Sequence, residues 1–130
     1  MIAIISCSKS KKNFPCAAKE MYSESTLFNK TLNFCLSKKY EHIFIASAKY
    51  GILKLDQQIE PYDKTLNKAN EKGGEEWAAK VVNQLSALNL LSENFDFYTG
   101  VNYVSPLSAI LKINSPMKGL GIGQRLKFLS

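Results

Sequence analysis

Cysteine, histidine and long apolar runs are all scarce in this chain, and each scarcity removes a class of protein. Three of its 130 residues are cysteines, Cys7, Cys16 and Cys35, and one is a histidine, His42. An odd cysteine count without CxxC spacing argues against a disulfide framework and, with one histidine, against a structural zinc site. Neither a metal nor another cofactor is expected. His42 opens the run HIFIASA, at the amino end of what reads as a strand, so Ser-His-Asp catalysis lacks its base. No stretch approaches the roughly 18 apolar residues of a membrane span. The N-terminus has no basic region ahead of its apolar run, and that run of about five residues is shorter than the roughly 7 to 15 of a secretion signal. A cytoplasmic protein without a membrane partner is expected. Repeats, linkers and low-complexity segments are missing too, which leaves one domain over residues 1–130.

Hydrophobic residues make up 45% of the chain and charged residues 22%, enough apolar material for a single core. A formal charge of +6 and a pI near 9.2 suit a polyanionic partner, nucleic acid or nucleotide, as well as they suit a merely basic surface.

IAIIS, residues 2 to 6, is apolar without alternation, the signature of a strand covered on both faces. Ser25 to Leu36 has helical spacing with a serine at its start, and HIFIASA reads as a second buried strand. YGILKLDQQIEPYDKTLNKANEKGG reads as a long irregular segment of the functional kind. EEWAAKVVNQLSALNLL predicts a helix over Glu75 to Leu91 with Trp77 in the core, FDFYTG a third strand, and VSPLSAILKI a helix starting near Pro106. A short strand near Ile113 to Pro116 and a final helix follow. The alternation predicts an α/β fold: a single-domain, open, mainly parallel sheet of about four strands flanked by helices, a Rossmann-like three-layer sandwich. Ligands of such sheets bind beyond the carboxyl ends of the strands. SCSKSKK, SAKYG, TGVNY and PMKGLGIGQ each follow a predicted strand, so all four are expected at one edge.

Ser6, Ser8, Lys9 and Lys11 of SCSKSKK offer hydroxyl donors and cations to a phosphate or carboxylate, or else form a solvated loop. Cys7 reads as a small wall residue, because a nucleophilic thiol wants a base that the chain does not provide nearby. Asp56, Glu60 and Asp63 stand near Tyr50 and Tyr62; an acid beside an apolar wall suits general acid catalysis, and an ionised one steadies a cationic transition state. The alternative for Glu60 and Asp63 is a proline turn or a helix cap. Gly119, Gly121 and Gly123 precede a helix, which suits either phosphate binding or a tight turn.

SCSKSKK, Tyr22 with Ser23, SAKYGIL, IEPYDKTL, Trp77 and PMKGLGIGQRLKFL, in that order, resemble a family of small bacterial and phage proteins of uncharacterised function. That family is distantly similar to the YaaA-like peroxide-stress proteins, which share YGxL followed by a PY segment. Members often carry a glycine in the first motif or a histidine in SAKHG, where this chain has Ser8 and Tyr50. The resemblance implies association with nucleic acid, DNA foremost. Its pattern falls on Ser6, Cys7, Lys9, Lys11, Tyr22, Ser47, Lys49, Tyr50, Gly51, Pro61, Tyr62, Asp63, Leu66, Gly119, Gly121 and Gly123.

These readings combine into one expectation: an enzyme on a nucleotide or a modified or damaged base, cleaving an N-glycosidic bond. Lys9, Lys11 and GLGIGQ would hold phosphate, Tyr50 or Tyr62 would stack the base, and Asp63 or Glu60, with Tyr62, would serve the reaction. Ser6, Cys7, Ser8, Tyr22, Ser47, Lys49 and Gly51 complete the binding set. The rivals are a non-catalytic DNA-binding stress or defence protein and a nucleotide-sensing module.

Overall fold

A segment that is apolar on both faces is stable only between two covering layers, and the chain builds those layers around its first strand. The computed structural model describes residues 1–64 and 71–130. The elements run β1 (Ile2–Ser6), β2 (Cys16–Ala17), α1 (Ala18–Met21), α2 (Thr26–Leu36), β3 (His42–Ser47), β4 (Gly51–Lys54), β5 (Gln58–Ile59), α3 (Glu71–Ala87), β6 (Asn94–Tyr98), α4 (Val101–Val104), a 3-10 turn (Ser105–Leu107), β7 (Lys112–Asn114) and α5 (Ile122–Phe128). The main sheet has the order β4-β3-β1-β6-β7, parallel throughout except for β4, which pairs antiparallel with β3. This is the open, mostly parallel α/β architecture expected.

Alternate residues of β1 serve opposite layers. Ile2 and Ile4 pack with Trp77, Val81 and Leu85 of α3, whereas Ala3 and Ile5 pack with Met21, Phe28 and Cys35 from α1 and α2. Burying side chains of this size contributes about 1.5–3 kcal/mol each, so the two cores hold the sheet from both sides as a three-layer sandwich. From β1 the chain moves outward through α2 to β3, then crosses back to β6 and on to β7. Loops after β1 and β6 therefore leave in opposite directions, and the sheet's switch point lies between these two strands.

Several boundaries differ from expectation. The segment read as irregular supplies β4, the antiparallel edge, and β5, which forms a separate two-stranded ribbon with β2. A sheet edge needs only one hydrogen-bonded neighbour, so a four-residue strand suffices there. Helix α3 begins earlier, at Glu71, and ends earlier, at Ala87. Asn89 adopts a left-handed φ of 59°, and the Leu90 N–H closes back on the Leu85 carbonyl at 2.9 Å, a Schellman stop that sends Leu90 and Leu91 onto the core. VSPLSAILKI is not one helix. It holds the end of α4 and the 3-10 turn, since Pro106 removes a backbone donor and the chain enters β7 at Lys112.

Candidate functional site

All four strand-end loops lie at the carboxyl edge, as the parallel pairing of β1, β3, β6 and β7 requires. The first is shaped from within. Cys7 N–H extends the ladder by donating to the Ala46 carbonyl at 3.1 Å. The Ser6 hydroxyl donates to the Cys7 carbonyl (3.0 Å), Ser8 to Ser10 (2.7 Å) and the Lys11 ammonium to Lys9 (3.2 Å). Ser6 and Ser8 thus use their protons on the loop itself. Cys7 is half-buried, with its sulfur 3.4 Å from the Tyr103 hydroxyl, and packs against both cores.

Ser47 organises the second loop. Fully buried, its hydroxyl accepts the backbone N–H groups of Lys49 (3.3 Å) and Tyr50 (3.1 Å) and donates to the Tyr62 hydroxyl at 2.8 Å. Tyr62 in turn meets the Tyr22 hydroxyl at 2.6 Å. Trp77, in the core as expected, gives its indole N–H to the Ser47 carbonyl at 2.7 Å. Burial pushes the Tyr22 phenol up to about 12 and raises Tyr62 and Tyr103 as well, so the cluster presents neutral phenols. The Tyr50 and Tyr62 rings stand edge to face at 5.5 Å, with the Lys49 ammonium 5.2 Å from the first and that of Lys11 4.6 Å from the second.

The acids lie differently from the tyrosines. Asp56, Glu60 and Asp63 are all solvent-exposed, and none has an ion-pair partner among the described residues. Asp63 follows Tyr62 directly, and the Tyr62 hydroxyl is tied to Ser47 at the end of β3 and to Tyr22 just after α1. Leu66 lies outside the described residues. Gly51 and Gly119 have left-handed φ values of +82° and +83°. The Gly121 N–H is taken by the Gln124 side chain at 3.0 Å, and none of Gly119, Gly121 and Gly123 lines the adjacent cleft. The glycines shape a turn that delivers a different residue, Arg125.

That cleft, of about 250 Å³, opens at the switch point between the Ser6 to Lys9 loop, the first turns of α2, Tyr98 of β6, and Arg125 of α5. Lys9 and Arg125 both face it, and no carboxylate is among its described lining residues. Arg125 is oriented by its Nε–H, which donates to the Leu120 carbonyl at 3.0 Å. Neither cation has an ion-pair partner among the described residues. The sequence signal for Arg125 is a cation in the helix that follows the glycine-punctuated turn. Among the described residues no three of His, Cys, Asp and Glu gather as a metal site, and His42 is exposed at the opposite end of β3. Among them also, no helix is long and apolar enough to cross a membrane.

An open, mostly parallel α/β sheet covered by helices on both faces, with a cleft at its switch point, defines the class: doubly covered α/β proteins. Within it, this chain belongs to the DUF6884 family, a family of unknown function whose pattern it matches over residues 2–130. Neither the curated proteins nor the solved structures contain a match to it.

Proposed function

We propose that this protein binds a nucleotide, free or within DNA, at the switch-point cleft and cleaves the N-glycosidic bond of a modified or damaged base. The observation that carries the reading is the cleft itself, with Lys9 and Arg125 unopposed by any carboxylate among its described lining residues; of the tyrosine cluster, Tyr22 reaches its wall through a ring contact with Phe28. The phosphate would sit against the cations, and the base would stack on one ring, Tyr50 or Tyr62. In the reaction water adds across the bond: its oxygen joins C1′, the C1′–N bond breaks, and the base leaves with a proton. Asp63, held next to the anchored Tyr62, steadies the cationic sugar or orients the water. The motif resemblance to YaaA-like proteins supports a nucleic-acid setting.

Incubation with nucleoside monophosphates and with DNA containing modified bases, followed by chromatography for free base, tests the reaction. Release is expected, with a loss of roughly 100-fold or more in Asp63→Asn, the scale of a lost acid–base or charge-stabilising group. Exposure of all three acids favours a second reading, a nucleotide-binding module without turnover. Binding without base release selects that reading. Association with DNA that falls steeply with salt and ignores Lys9 and Arg125 would instead indicate a non-catalytic DNA binder.

A further inference from the structure

The donors of the cleft are unevenly placed. The protons of Ser6, Ser8 and Thr31 are already given to the carbonyls of Cys7, Ser10 and Leu27, at 3.0, 2.7 and 2.7 Å. What remains for a ligand is the Lys9 ammonium, the terminal amino groups of Arg125 and the Ser25 hydroxyl, whose oxygen accepts the Phe28 N–H at 3.1 Å and whose proton has no acceptor among the described residues. The Leu27 N–H, in the first turn of α2 ahead of the capped Phe28 N–H, has no partner inside the helix and adds to them. Leu27, Phe28, Tyr98 and Met117 make the rest of the wall largely apolar.

Two cations facing one space without an acid call for about two negative charges. A phosphomonoester carries about −1.5 to −2 at neutral pH and has three terminal oxygens, whereas a phosphodiester within a strand carries a single charge on two. Size points the same way. At about 250 Å³ the cleft falls below the roughly 300–1,000 Å³ of pockets that enclose whole small molecules. It has room for one end group and the start of what bears it, and little room for a strand passing through on both sides.

We infer that the cleft seats a terminal phosphomonoester, the 5′- or 3′-phosphate of a mononucleotide or of a strand end, and discriminates against the internal phosphodiester. This rests on the reading of the cleft as the phosphate site. Arg125 supplies the forked contact, Lys9 the point charge, and the Ser25 hydroxyl with the Leu27 N–H the remaining donors.

Isothermal titration with a deoxydinucleotide, two deoxynucleosides joined by one phosphodiester, carrying a 5′-phosphate, the same molecule with a 3′-phosphate, and the same molecule with neither gives the test. At least one phosphorylated form is expected to bind about tenfold tighter or more than the bare diester, the scale of one charge-assisted contact. Lys9→Ala and Arg125→Gln should each remove most of that advantage, and inorganic phosphate should compete. Lys9 is exposed and its side chain makes no hydrogen bond or ion pair among the described residues, so Lys9→Ala tests the site without disturbing the fold. Equal binding of all three, weakened alike by both variants, overturns the preference for a monoester and leaves the anion site standing. Binding of none, or binding indifferent to both variants, overturns the inference together with the reading on which it rests.

Discussion

At the scale of single residues, Ser47 holds the most. It is fully buried at the end of β3, accepts two backbone N–H groups and passes its own proton to Tyr62. Ser47→Ala would leave those donors unsatisfied in a buried place, at a cost of about 1–3 kcal/mol. Urea denaturation should show that loss, together with faster proteolysis near Tyr62. Tyr62→Phe keeps the two backbone contacts of Ser47 and is expected to cost less. SAKYG and EPYDKTL both single out residues of this cluster in the sequence. That Tyr22, Ser47 and Tyr62 share one hydrogen-bonded chain was not legible there, because the contacts span 40 and 15 positions.

Between residues and the whole lie the elements, where the hairpin of β3 and β4 depends on a helix. Gln84 of α3 reaches the outer edge of β4: its amide oxygen accepts the Ile52 N–H at 2.8 Å, and its amide nitrogen donates to the carbonyls of Tyr50 (3.0 Å) and Ile52 (3.2 Å). The side chain stands in for a missing neighbouring strand and blunts an edge that would otherwise recruit one. Gly51 makes this possible, through its φ of +82° and because a Cβ there would run into the Gln84 amide. Gly51→Ala should cost about 1–2 kcal/mol from the backbone alone and more from the collision, read as a lowered melting temperature. Gln84→Ala is expected to promote concentration-dependent association, measured by light scattering. β6 shows a second such tie: buried Asp96 accepts the Tyr40 hydroxyl at 2.6 Å and the Asn114 amide at 3.1 Å, joining β6 and β7 to the entry of β3. The edge strand escaped sequence reading because what stabilises it, Gln84, comes from α3.

Across the whole molecule, tyrosines buried on both faces of the sheet make stability sensitive to alkali. Tyr22 is raised to about 12, and burial raises Tyr40, Tyr62, Tyr98 and Tyr103 too. An unfolded tyrosine loses its proton near pH 10, so the unfolded state gains from ionisation first. The stabilisation is complete below pH 10 and is lost as pH rises toward the folded values, at up to about 1.4 kcal/mol per pH unit for each phenol. Denaturant midpoints should hold steady to about pH 10 and fall between 10 and 12, more shallowly in Tyr22→Phe. A midpoint level through pH 12 would contradict the burial described here.

The sequence by itself determined the layers and the edge. Runs apolar on both faces demand a covered parallel sheet, and parallel strands must gather their following loops at one end; IAIIS and HIFIAS contain that information locally. Only the tertiary structure decided which groups meet there. Arg125 and Lys9 come to one cleft from opposite ends of the chain, while Glu60 and Asp63 stay in solvent although their motif lies among the tyrosines. The reason is physical: periodicity reports which side of an element is buried, whereas the encounter of two side chains depends on the path of every element between them.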